Sequence, residues 1–139
     1  MRSILAVLTI TFFISCNTTK NASGKMDKMN GSWIPVKEEI GGTSLPPAAF
    51  GKQKLIINDS NYMFTAESVD KGVIKYKDDK MDIYGREGVN TGKHFTALYK
   101  FENDQLIICY NLSGNSYPEA FDTKGKPLYF LAAFKREEK

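Results

Sequence analysis

The sequence predicts an all-β protein in which eight antiparallel strands close into an up-and-down barrel with one short helical turn. Three observations support this prediction: an apolar–polar alternation of period two, frequent turn signals, and connections of hairpin length. In the sixth predicted strand, Phe95, Ala97, Tyr99 and Phe101 share one face. A sheet of this length must close or split into two layers because open edges invite pairing with other chains. Sequential hairpins favour closure.

Eight segments rich in aromatic and β-branched residues are predicted as strands. In chain order they are Ser32–Glu39, Lys54–Ile57, Tyr62–Ala66, Val73–Lys77, Met81–Tyr84, His94–Phe101, Gln105–Asn111 and Leu128–Lys135. Turn-forming Gly, Asn, Asp and Ser residues end most of them, as in 41–42, 58–61, 78–80, 85–92 and 103–104. Proline near the start of 45–50 predicts the single helical turn there.

Length and charge limit the possible functions. A chain of 139 residues is expected to form one domain, and we expect a monomer. Hydrophobic residues make up 42% and charged residues 25%, as in globular proteins. The net charge of +3 is not concentrated in a block of like charges, so we expect no nucleic-acid partner. No apolar run reaches the roughly 18 residues that a membrane-spanning helix needs.

The first sixteen residues have the order of an export signal. A short cationic start, Met1–Ser3, precedes the apolar segment Ile4–Ile14. The junction 13–16, Phe-Ile-Ser-Cys, resembles the lipobox of bacterial lipoproteins, in which the signal is cleaved before a cysteine that receives fatty acyl chains such as palmitate. This resemblance implies that residues 1–15 are removed and that a lipid on Cys16 anchors the protein in the bacterial cell envelope, facing the periplasm. A simple export signal with a coincidental cysteine is the alternative.

The composition divides the rest of the chain into a tether and a domain. Residues 16–30 are mostly polar and are predicted to be a flexible tether, and residues 31–137 are predicted to form the barrel. With Cys16 lipidated, Cys109 has no partner for a disulfide within the monomer. Its apolar neighbours in 106–110 predict a small buried side chain.

The start of the domain resembles a known signature. Gly31-Ser32-Trp33 is similar to the Gly-x-Trp motif of the lipocalins and the wider calycin group. In those folds the tryptophan plugs the closed end and a basic residue after the last strand stacks on it, which implies these roles for Trp33 and Arg136. The wider likeness, to a bacterial lipocalin-like domain family of lipoproteins, covers roughly residues 31–136. It is carried by Trp33–Val36, Glu39–Gly42, Leu45-Pro46, Tyr99–Leu106, Cys109 and Pro118–Phe121, and Tyr117 stands where that family commonly has Arg. The likeness implies fold and compartment more than activity.

No catalytic or metal-binding set is evident in the sequence. The sole histidine, His94, opens a strand after a loop, and no Gly-x-Ser-x-Gly motif accompanies it. One histidine and one buried cysteine fall short of a tetrahedral zinc set, and the aspartates of 78–82 lack the spacing of a calcium loop. Glu38 and Glu39 are strand neighbours and must point to opposite faces. We therefore predict a protein that is not an enzyme and that needs no cofactor or metal.

Aromatic side chains are the remaining candidates for function. They either line a cavity for a small apolar ligand or fill the barrel as its core, and a filled core is favoured in so short a domain. The candidate barrel-lining residues are Tyr62, Phe64, Tyr76, Tyr99, Phe101 and Tyr110. Loops 41–50 and 85–93 are expected to frame the open end. We predict a membrane-anchored protein that binds a small apolar ligand. A protein-interaction module, such as an inhibitor of a cell-wall-degrading enzyme, is the alternative.

Overall fold

A computed structural model describes residues 20–138, which form one α-helix, nine β-strands and one 3₁₀ turn. The helix is α1 (Lys20–Met29), and the 3₁₀ turn covers Pro47–Ala49. The strands are β1 (Gly31–Ile40), β2 (Thr43–Ser44), β3 (Lys54–Asn58), β4 (Asn61–Thr65), β5 (Val69–Lys77), β6 (Lys80–Glu87), β7 (His94–Glu102), β8 (Gln105–Asn111) and β9 (Tyr129–Arg136).

The strands form one closed antiparallel barrel. From β3 to β9 each strand pairs with the next in sequence, and β1 closes the sheet by pairing with both β3 and β9. The short β2 adds only to the end of β1. The predicted eight-stranded up-and-down barrel is therefore confirmed, as is the helical turn within 45–50. β5 and β6 are longer than predicted, and Gly85 belongs to β6 rather than to the following loop.

A helix occupies most of the segment that was predicted to be a tether. Met29 is fully buried in the barrel core, and the Trp33 indole N–H donates to its carbonyl at 2.8 Å. These contacts join α1 to the barrel, and the polar composition of the segment does not predict them. The predicted signal, residues 1–15, and the lipidation site Cys16 lie outside the described residues. None of the helices in the described part has the length and apolar character needed to cross a bilayer.

A bulge in β1 changes which of its side chains face the interior. Pro35 pairs with Phe134 and Lys37 pairs with Ala133, so Val36 is an extra residue without a cross-strand partner in β9. Proline lacks an N–H for the ladder and is found at such irregularities. Directly paired residues of antiparallel strands share a face. The bulge therefore turns Glu38, instead of Lys37, toward the inside of the barrel.

The two ends of the barrel differ. Trp33 lies at the end where α1 enters and β9 leaves, and we call this the closed end. The opposite end, which we call the open end, is formed by the connections 41–53, 66–68, 88–93 and 112–128. In the first of these connections, the Phe50 side chain is buried. The expected framing of one end by the 41–50 and 85–93 segments agrees with this topology.

The long connection 112–128 crosses the outside of the barrel. Thr96 Oγ1 and Asn111 Nδ2 both donate to the Ser116 carbonyl, and Thr123 Oγ1 accepts from the Gly42 N–H at 2.9 Å. The connection covers outward side chains such as Cys109, which is fully buried. Burial raises the pKa of the Cys109 thiol, in keeping with a packed apolar role rather than a reactive one. A second, smaller core thus lies on the outer face.

Candidate functional site: an apolar cavity at the open end

The barrel contains a partly open cavity of about 510 Å³. Most of its wall is formed by inward-facing side chains of strands β3 to β9. Because successive side chains of a strand point to opposite faces, every second residue of these strands can line the cavity. The apolar lining residues are Leu55, Phe64, Ile74, Met81, Ile83, Phe95, Leu112, Phe130 and Phe134. The barrel is therefore only partly filled: its interior holds a core toward the closed end and a cavity toward the open end.

Polar residues line the cavity where it reaches the open end. They are Asp70 at the start of β5 and two residues of the β6–β7 connection, Asn90 and Lys93. Asp70 is buried, and its Oδ1 accepts the Asn90 backbone N–H at 3.0 Å. Gly88 makes this approach possible, because a side chain there would collide with Asp70. The Asp70 carboxylate thus fixes the position of the loop beside the cavity.

Two tyrosines also line the cavity. They are Tyr62 of β4 and Tyr110 of β8. Burial raises the pKa of the Tyr62 hydroxyl, and the charge of Asp70 raises it further. Burial also raises the pKa of Tyr110, with a contribution from Glu38. Both hydroxyls therefore stay protonated at neutral pH and are available as hydrogen-bond donors and acceptors.

The structure divides the six predicted lining residues into two groups. Tyr62, Phe64 and Tyr110 line the cavity. Tyr76 and Tyr99 pack edge to face with centroids 6.0 Å apart, toward the closed end, where the Tyr99 hydroxyl donates to the Asp78 carbonyl. Phe101 does not line the cavity. It is the penultimate residue of β7, so the strand carries it past the interior to the closed end, where it is 38% exposed beside Trp33.

Glu38 is a buried interior carboxyl that was not among the predicted site residues. It is 2% exposed, and it pairs with Ala132, a member of the barrel core. Burial raises its pKa from 4.5 to about 7, which a hydrogen bond with the Gln53 side chain partly offsets. Pro35 is the one signal in the sequence that could have indicated the inward orientation of Glu38, because proline in a strand is typical of a bulge such as the one that follows it.

At the closed end Arg136 is in contact with Trp33. The Arg136 guanidinium lies 4.2 Å from the centroid of the Trp33 ring, within cation–π range. It also donates to the carbonyls of Lys28 and Asn30 at 2.8 and 2.6 Å, where α1 ends. Gly31 leaves room for this guanidinium, since a Cβ would lie 2.3 Å from one of its nitrogens. Trp33, Arg136 and the end of α1 together plug the barrel.

A polar cluster on the outer wall was also not predicted. Asp82 accepts from the Tyr117 hydroxyl at 2.5 Å, and its other oxygen lies 2.7 Å from His94 Nε2. Burial opposes ionisation of Asp82, but these hydrogen bonds outweigh it and lower its pKa, while the Asp82 contact raises that of Tyr117 to about 12. The His94 ring stacks on Tyr84 with centroids 4.7 Å apart. The cluster joins the 112–128 connection to the barrel wall. Its members on β6 and β7 are neighbours because of the register between these strands, which the sequence does not give.

Metal ligands and known relatives give no further assignment. Within residues 20–138, no group of three or more His, Cys, Asp or Glu side chains is placed to hold a metal ion. Protein-family models give no match to the chain, and comparison with curated proteins finds no similar sequence. The fold and the cavity therefore define the class only as a closed antiparallel β-barrel with an apolar interior site.

Proposed function

We propose that this protein is a lipid-anchored, lipocalin-like lipoprotein of the bacterial cell envelope that binds a small apolar molecule inside its barrel. The observation that carries this proposal is the apolar cavity of about 510 Å³. Sites that enclose small molecules generally measure about 300–1,000 Å³ and have mostly apolar walls with a few polar groups. The cavity has both properties, whereas a barrel serving only as a scaffold for protein contacts has no need of one.

Binding is tested with N-phenyl-1-naphthylamine, an uncharged dye that fluoresces in apolar surroundings. The Ile74 side chain lines the cavity, while its neighbour Val73 points outward on the same strand. We expect Ile74→Trp to weaken dye binding by about tenfold or more because the indole takes up cavity volume. Val73→Trp is the matched control and should leave the dissociation constant unchanged. Equal binding by both variants and the native protein would place the dye elsewhere.

The natural ligand is sought by native mass spectrometry of protein purified from its own host. A small molecule that copurifies with native protein and is lost from Ile74→Trp would support the binding function. A barrel that is empty in the host and does not bind the dye would instead favour the protein-interaction alternative.

Membrane attachment is tested separately from ligand binding. We expect Cys16→Ser to move the protein from the membrane fraction to the soluble periplasmic fraction, because the thiol that receives lipid is gone. Cys109→Ser is the control, since Cys109 is buried under the 112–128 connection. Immunoblots of fractionated cells give the distribution. Retention of Cys16→Ser in the membrane would contradict the lipid anchor.

A further inference from the structure

The interior of the barrel contains a carboxyl group in the same wall as the cavity. Glu38 pairs with Ala132 of β9, so both side chains lie on the inward face. The residues two positions to either side of Ala132 on that face, Phe130 and Phe134, line the cavity. Glu38 is therefore a neighbour of the cavity wall at a point where the barrel is otherwise aromatic.

Three buried oxygen atoms lack a hydrogen-bond partner within residues 20–138: Glu38 Oε1, Gln53 Oε1 and the Tyr76 hydroxyl. Tyr76 belongs to the core toward the closed end, and Gln53 lies just before β3. Glu38 is the one of the three that lies between two cavity-lining residues of the neighbouring strand. Buried polar atoms are normally paired, so this carboxyl oxygen beside the cavity wall points to a group supplied from outside.

The chemistry of the Glu38 carboxyl favours a hydrogen-bond donor, because an ionised carboxylate can only accept. Among the described residues that line the cavity, Asp70 adds a second buried carboxylate, whereas the one cation, Lys93, is exposed at the open end. A ligand carboxylate placed deep in the barrel would add a further negative charge without a buried cation beside it.

We propose that the ligand is a cationic amphiphile, with its apolar body in the cavity and a protonated amine at Glu38. An ammonium group has three donors and no acceptor, so it can donate to the Glu38 oxygen that lacks a partner. Its charge also pairs with a carboxylate that lacks a cationic partner in the interior, where such pairs are strong. This inference rests on the proposed binding function and adds the chemical class of the ligand.

The test compares three probes that share one alkyl chain: decylamine, decanol and decanoic acid. Each is titrated at pH 8, below its micelle concentration, against protein loaded with N-phenyl-1-naphthylamine, and displacement gives its dissociation constant. We expect decylamine to bind about tenfold or more tightly than decanol, and decanoic acid to bind most weakly. In Glu38→Gln the advantage of the amine should fall to about twofold or less, with decanol little changed. Glu102→Gln, an exposed carboxylate at the closed end, removes the same charge and should keep the native order.

The outcomes separate this inference from the function on which it rests. Decanol or decanoic acid binding as tightly as decylamine would overturn the cationic ligand while leaving an apolar binding site in place. The same conclusion follows if Glu38→Gln keeps the full preference for the amine. Failure of all three probes, and of the dye itself, would overturn the binding function as well.

Discussion

Replacing Trp33 with alanine is expected to lower the free energy of unfolding by about 3–5 kcal/mol, the usual cost of truncating a buried tryptophan. The side chain is 2% exposed, and the loss extends beyond its own volume. Its N–H donates a hydrogen bond to the Met29 carbonyl, and its ring makes a cation–π contact with the Arg136 guanidinium. Removing the indole therefore loosens α1, β1 and the end of β9 together.

Urea denaturation followed by circular dichroism measures this loss. Phe101→Ala is the matched control, because Phe101 lies beside Trp33 at the same end but is 38% exposed. We expect it to cost about 1 kcal/mol, in proportion to the smaller area that it buries. A cost for Trp33→Ala as small as that of the control would contradict the plug.

Glu38→Gln is expected to stabilise the protein at high pH and to have a much smaller effect at low pH. The native carboxyl has a pKa of about 7, against 4.5 as its ordinary value. Below pH 4.5 the group is protonated in both the folded and the unfolded chain. As the pH rises toward 7 the unfolded chain releases its proton first, so the native protein loses stability. Above pH 7 the full loss of about 3 kcal/mol is present.

The measurement is the difference in unfolding free energy between variant and native protein at pH 4.5, 6 and 8. Glutamine does not titrate, so this difference should grow by about 3 kcal/mol over that range. The phenols of Tyr62, Tyr76 and Tyr110 have raised pKa values and do not titrate within it. Glu102→Gln, at an exposed position, is the control for the loss of a carboxylate elsewhere on the barrel. Parallel pH profiles for native protein and Glu38→Gln would exclude an ionisable group buried at this position.

The barrel could be predicted from local signals because its strands are sequential and its turns are short. Asn103 and Asp104 illustrate this, since both have positive φ values, 51° and 59°, as a two-residue hairpin turn requires. Helix α1 could not be predicted in the same way. Its residues are mostly polar, and it is joined to the barrel by the buried Met29, by a bond from the nearby Trp33 and by a bond from Arg136, which is distant in sequence. Helices of this length rely on tertiary contacts.

The site was only partly predictable because its geometry depends on register. Alternation placed Tyr62 and Phe64 on one face of their strand, and both line the cavity, but it could not tell how far along the barrel a residue lies, and so Phe101 was included. For Glu38 the sequence predicts only that it and Glu39 lie on opposite faces of their strand. A single extra residue in β1 decided which of the two faces inward.

The chain enters and leaves the barrel side by side, where the Glu137 N–H donates to the Ser32 carbonyl at 2.8 Å. A reporter domain fused after β9 would therefore lie at the closed end, away from the opening of the cavity. The same holds for a sensor surface to which the protein is coupled at its C-terminus. Protein immobilised in this way would keep its open end accessible to solvent. Ligand binding could then be titrated on a sensor surface without changing any residue of the barrel wall.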